Sequence, residues 1–102
     1  MKFIKTIADE HFVFDTETAI MIHEYVNRVC DNMGTSYLIK NRIYVSPQDR
    51  LFRVHFPKVW FKWRENRAQI QLFEDKAHFK RWLRYDTEEL YFQTYPQELK
   101  EG

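Results

Sequence analysis

Between Leu51 and Leu72 three sets of apolar residues fall at alternate positions. Phe52, Val54 and Phe56 form one such set, Val59, Phe61 and Trp63 a second, and Ala68, Ile70 and Leu72 a third. A period of two predicts strands. A two-residue turn at Pro57-Lys58 sets Phe56 opposite Val59, and one at Glu65-Asn66 sets Trp63 opposite Ala68. Both turns bring the apolar sets onto one face, as cross-strand pairing requires. Upstream, Arg42 to Ser46 predicts a further strand, ended by the turn-forming run Ser46-Pro47-Gln48-Asp49. The expectation is an antiparallel meander.

Two other stretches carry a longer period. Between Thr16 and Met33, the residues Ala19, Ile22, Val26, Val29, Cys30 and Met33 recur at spacings of three and four, with Glu24, Asn27, Arg28 and Asp31 on the other side. This predicts a helix that Asp15 or Thr16 caps and Gly34 closes. A second helix is predicted over Lys76 to Tyr85. Asp75 is its cap, Phe79, Trp82 and Leu83 its apolar arc, and Lys76, Lys80, Arg81 and Arg84 an adjoining basic arc. Phe3, Ile4 and Ile7 suggest a short first strand that His11–Phe14 extends or pairs. Thr87-Glu88-Glu89 opens a further short helix, unless Leu90 to Tyr95 is a strand. Pro96 ends either one, and residues 96–102 are expected to fray.

The elements add up to a single α+β domain over residues 1–102. An antiparallel sheet of four to five strands is packed by an N-terminal helix and a C-terminal helix. The expected core is Ile22, Val26, Val29, Phe52, Val54, Phe61, Trp63, Ile70, Leu72, Phe79 and Leu83. A chain of 102 residues with nine Phe, six Tyr and three Trp can fill such a core without metal or disulfide. Two glycines are too few for a Gly-built phosphate loop. Cys30 is the only cysteine, so no internal disulfide is possible. On the predicted helix it would be a buried, inert thiol. No apolar run reaches the 18 or so residues of a membrane span, and the first residues lack the apolar core of a signal peptide. The expected location is cytoplasmic, with no membrane partner.

Charge changes the picture most. The formal net charge is +1, but residues 36–85 hold 12 of the 16 Lys and Arg and only four acids, a net of +8. The segment before them sums to −3 and the one after to −4. All three Trp lie in the basic stretch. A basic segment interleaved with aromatics is a footprint of nucleic-acid binding.

On the predicted meander these cations collect on the face opposite the core. That face shows Arg53 and His55, then Lys58, Trp60, Lys62 and Arg64, then Arg67, Gln69, Gln71 and Phe73. Lys80 and Arg84 of the second helix are candidates to extend it. Lys and Arg neutralise phosphates, Trp60 offers a plane for a base to stack on, and Arg and Gln reach base edges. The plain alternative is a solvated sheet face, with the acidic flanks folding back on the basic middle.

The first expectation is a small non-enzymatic binding protein that engages nucleic acid through this face. The second is a protein inhibitor or adaptor, of the kind viruses direct at host nucleic-acid enzymes, docking on an acidic protein surface. A third is a metal-free, toxin-like ribonuclease using His55 with Lys62, Arg64 or Arg67. His11, His23, His55 and His78 have no metal-ligand spacing among themselves or with Cys30. No catalytic residue, metal or cofactor is therefore expected, and the oligomeric state is left open.

Overall fold

In the computed structural model, which describes residues 1–100, seven strands form two antiparallel sheets, followed by two helices. The chain divides into two compact units, Met1–Leu72 and a second beginning at Phe73.

The regular elements of the first unit are all strands apart from one 3-10 turn. Strands β1 (Lys2–Ile7) and β2 (Glu10–Asp15) form a hairpin, with Ile7 opposite Glu10. The larger sheet has the order β3 (Ile20–Cys30), β4 (Ser36–Val45), β5 (Leu51–Val59), and β5's far edge is shared. Strand β6 (Lys62–Trp63) takes the end of that edge and β7 (Gln69–Leu72) its middle. The 3-10 turn Glu65–Arg67 lies between them and carries the chain back along β5.

Phe52, Val54 and Phe56 alternate inward as their spacing predicts, and all three are buried. Tyr44 and Phe14 complete the cluster; the Phe52 ring lies 5.2 Å from Tyr44 and 5.3 Å from Phe14. Met1, Phe3, Ile7 and Phe12 of the N-terminal hairpin, with Ile70 and Leu72, pack around it. Burying each such aromatic contributes roughly 1.5–3 kcal/mol. The lid of the core is thus the β1–β2 hairpin.

The predicted helix over residues 16–33 is strand β3. Its β-branched and aromatic residues (Ile20, Ile22, Tyr25, Val26, Val29) favour an extended chain. The spacing is ambiguous because both faces of the strand are mixed. Ile22, Glu24, Val26 and Arg28 alternate on one side and His23, Tyr25, Asn27 and Val29 on the other. Ile22 and Val26 are exposed rather than core. Gly34, at φ +80°, closes no helix but sits in the β3–β4 hairpin loop. There Asp31 accepts bonds from the Met33 and Thr35 amides at 2.9 Å each. Cys30 is exposed at the strand's end, not buried.

The predicted turn at Pro57-Lys58 is also displaced. Strand β5 runs on to Val59, and the turn is Trp60-Phe61. Phe61 is consequently 92% exposed and outside the core. Strand β7 pairs with β5, Phe52 facing Leu72 and Val54 facing Ile70, rather than with the strand before it.

The second unit follows the sequence closely. Helix α1 (Lys76–Asp86) is capped by Asp75, which accepts from the His78 amide at 2.7 Å. Helix α2 (Glu88–Thr94) is capped by Thr87, whose own amide donates to Leu83 O at 2.8 Å and ends α1. Phe79 and Leu83 are buried. Phe73 meets Phe79 and Trp82 at 5.2 Å each. Residues Pro96–Glu98, expected to fray, form a 3-10 turn in which Glu98 accepts from the Tyr91 hydroxyl. Positions 101–102 of the expected tail lie outside the described residues.

Candidate functional site

The register of the larger sheet defines its second face. Reading across the strands, Tyr25 is opposite Asn41, Asn41 opposite His55, and His55 opposite Gln69. The next row is His23, Ile43, Arg53 and Gln71. Arg53, His55, Gln69 and Gln71 therefore share one face, as the alternation predicts. Asn41 is fully buried there and donates to Asn27 Oδ1 at 2.7 Å.

Toward the hairpin end this face opens into two adjoining hollows. One, of about 610 Å³, is lined by Tyr37, Pro57, Lys58, Val59, Trp60 and Arg67. The other, of about 250 Å³, is lined by Tyr37, Ile39, His55, Pro57, Arg67 and Gln69. Tyr37, Pro57 and Arg67 belong to both. Neither lining contains a carboxylate. The pair of hollows thus offers two aromatic side chains, the Arg67 guanidinium, one imidazole and one amide, with Lys58 also in the lining.

Trp60 stands at the tip of the β5–β6 hairpin, 83% exposed, beside Phe61. Both have positive φ, 53° and 69°. That is the mark of a two-residue type I′ turn, the tight hairpin whose twist matches its strands, and Asn-Gly is its usual sequence. Bulky aromatic residues rarely take this conformation. Here two hold it and leave their rings in solvent.

The cations are divided between the two faces. Lys62 pairs with Val59 and shares its side. Arg64 is opposite Pro57, to whose carbonyl its amide donates at 2.8 Å. Arg67 ends the 3-10 turn and enters both hollows. Lys58 differs from its expected placing. It pairs with Trp63 on the Phe56 side, with Nζ 5.5 Å from the Trp63 ring centre. Lys40 Nζ lies 4.6 Å from the same ring and the Arg42 guanidinium 5.1 Å from Phe56. The turn falls three residues later than expected, and an odd shift moves Lys58 to the Phe56 side, since alternate residues change face.

The acidic flanks do fold back in part. Glu24 binds Arg42 Nε at 2.7 Å, and Glu65, an acid of the basic stretch itself, approaches the same guanidinium at 3.7 Å. In the second unit Lys80 lies 3.8 Å from Glu98 and 4.5 Å from the Tyr95 ring centre. Arg84 lies over Tyr91 and Phe92. Lys58, Lys62, Arg64 and Arg67 form no ion pair among the described residues.

The sequence pattern alone neglects Tyr37 and assigns Phe61 to the core. Tyr37 is legible as the start of the alternation Tyr37, Ile39, Asn41, Ile43, which extends the strand predicted from Arg42. Phe61 is hidden by its fit to a core pattern. Among the described residues no group of His, Cys, Asp and Glu is placed to hold a metal, and no helix is long and apolar enough to cross a membrane. Comparison with family models, curated proteins and solved structures gives no significant match.

Proposed function

We propose that this chain is a small non-enzymatic binding protein that engages single-stranded nucleic acid at the β5–β6 hairpin and the hollows beside it. The observation that carries this reading is Trp60, 83% exposed beside a groove that Arg67 lines and whose lining contains no acid. A base can stack on Trp60 only if it is not already stacked in a duplex, which favours single strands. Lys62, Arg64 and Arg67 then follow the phosphates, and Tyr37, His55 and Gln69 meet sugar or base edges.

The test is a titration with labelled single- and double-stranded oligonucleotides at low salt. Trp60→Ala is expected to weaken single-strand binding by about five- to 150-fold, the equivalent of about 1–3 kcal/mol of stacking. No binding by the wild type, or equal binding by the variant, rejects the proposal.

A second reading has its own support in Phe61. It lines neither hollow, yet it is 92% exposed next to Trp60. Adjacent exposed aromatics ringed by Lys and Arg also suit an acidic protein surface, where such residues act as anchors. Capture of a protein that persists after nuclease treatment and needs Phe61 favours the inhibitor or adaptor role. The ribonuclease reading keeps His55 and Arg67, which line one hollow, and its test is RNA cleavage that His55→Ala abolishes.

A further inference from the structure

Strand β3 is the edge of the larger sheet. Among the described residues its one strand neighbour is β4. It has 11 residues, about twice the usual strand length. Long open edges are ordinarily blunted by Pro, Lys, bulges or brevity, because their outward N–H and C=O groups invite another strand. β3 has one irregularity, between Met21 and His23 near its start. From His23 to Val29 it is regular, and it contains neither Pro nor Lys.

The exposed side of this regular stretch is symmetric about Val26, which is itself 47% exposed. Glu24 precedes Val26 by two residues and Arg28 follows it by two. Consider two copies of β3 paired antiparallel about a two-fold axis at Val26. Glu24 of each copy then faces Arg28 of the other, twice over. Val26 meets Val26 and Ile22 meets Cys30. On the opposite side Tyr25 faces Asn27, again twice, and His23 faces Val29. Neighbouring registers lose this match. Centring on Glu24 or on Arg28 sets like charges opposite each other, which is unfavourable. Centring on Tyr25 or Asn27 sets Glu24 and Arg28 against apolar or uncharged residues. Opposite charges thus select one register. The intrachain partners do not preclude it, since Glu24 retains acceptor sites beside Arg42, and Arg28 retains donors beside its 3.2 Å bond to Ser36 Oγ.

We infer that the β3 edge is an interface for a second copy of this chain, joined antiparallel about Val26 with reciprocal Glu24–Arg28 pairs. Two five-stranded sheets become one continuous sheet, and each copy brings its own Trp60 hairpin. The inference is independent of what the hairpin binds.

Sedimentation equilibrium of the full chain, from low micromolar to near-millimolar concentration, tests it. The wild type is expected to show a reversible monomer–dimer equilibrium. Glu24→Arg and Arg28→Glu each turn two attractions into two repulsions and should weaken self-association by about tenfold or more. An equimolar mixture of the two variants restores complementary pairs and should form a heterodimer. Arg28→Glu leaves the Glu24–Arg42 bridge intact, so a folded but monomeric Arg28→Glu protein separates loss of the interface from loss of fold. In the double variant Val26→Cys/Cys30→Ser, the two introduced thiols face each other across the axis. Their Cα atoms lie about 4.5–5.5 Å apart, as in any directly opposed antiparallel pair, so oxidation should yield a linked dimer. A wild type monomeric at the highest concentration overturns the proposal. So does a dimer indifferent to both charge reversals, or failure of the Val26→Cys/Cys30→Ser protein to link on oxidation.

Discussion

His23 is set into the second face of the sheet, opposite the fully buried Ile43. Burial pushes its imidazole below the ordinary value of 6.5, because the charged form loses water. The unfolded chain therefore binds a proton at a pH where the folded chain does not. The stabilising effect of neutral His23 is fully present above pH 6.5 and is lost as pH falls from there toward the lowered folded value. Urea unfolding at successive pH values should show stability falling as pH drops below about 6.5, before most carboxylates titrate. His23→Gln, which cannot take up the proton, should flatten that slope. An unchanged slope in the variant would assign the acid sensitivity to another group. Nothing in the local sequence signals this property, because the burial of His23 depends on which strand lies beside it.

The β5–β6 hairpin shows what the alternation can and cannot reveal. Phe52, Val54 and Phe56 have one apolar face whichever turn follows, so β5 is legible. The turn is not. Pro57-Lys58 has common turn residues, and Trp60-Phe61 has none of the Gly, Asn or Asp that a type I′ turn favours. Helix α1 is legible for the opposite reason: its Asp75 cap and its Phe79, Leu83 spacing are local and agree with each other. β3 is not, because its side chains satisfy two periods, and only pairing with β4 decides between them. The hairpin's two positive φ values also carry a cost of roughly 1–2 kcal/mol for each non-glycine residue. Both rings are exposed, so little packing offsets it. The double substitution Trp60→Asn/Phe61→Gly should raise stability by about 1–3 kcal/mol in chemical denaturation. If the hairpin binds single strands as proposed, the same protein should lose that binding. A destabilised double variant would mean that the aromatic rings hold the hairpin together rather than await a partner.

Across the whole chain, the charge block is visible in the sequence, but its division of labour is not. Arg42 and Lys80 are held by carboxylates from the acidic flanks, Glu24 and Glu98. Arg84 is engaged with the rings of its own unit. Lys58, Lys62, Arg64 and Arg67, around the hairpin, have no ion-pair partner among the described residues. This partition makes a quantitative claim about salt. Each phosphate neutralised on a single strand contributes about −0.7 to the slope of log affinity against log salt. Three or four cations at the hairpin should therefore give a slope of roughly −2 to −3. Lys62→Gln and Arg67→Gln should each make it shallower by about 0.7. Trp60→Ala should lower affinity at every salt concentration and leave the slope alone, since stacking releases no counterions. Lys80→Gln should leave the slope unchanged too, because Glu98 already holds that ammonium. The measurement is the same oligonucleotide titration repeated over a range of salt. If Lys80→Gln flattens the slope as much as Arg67→Gln does, the phosphate path includes α1 and is not confined to the hairpin.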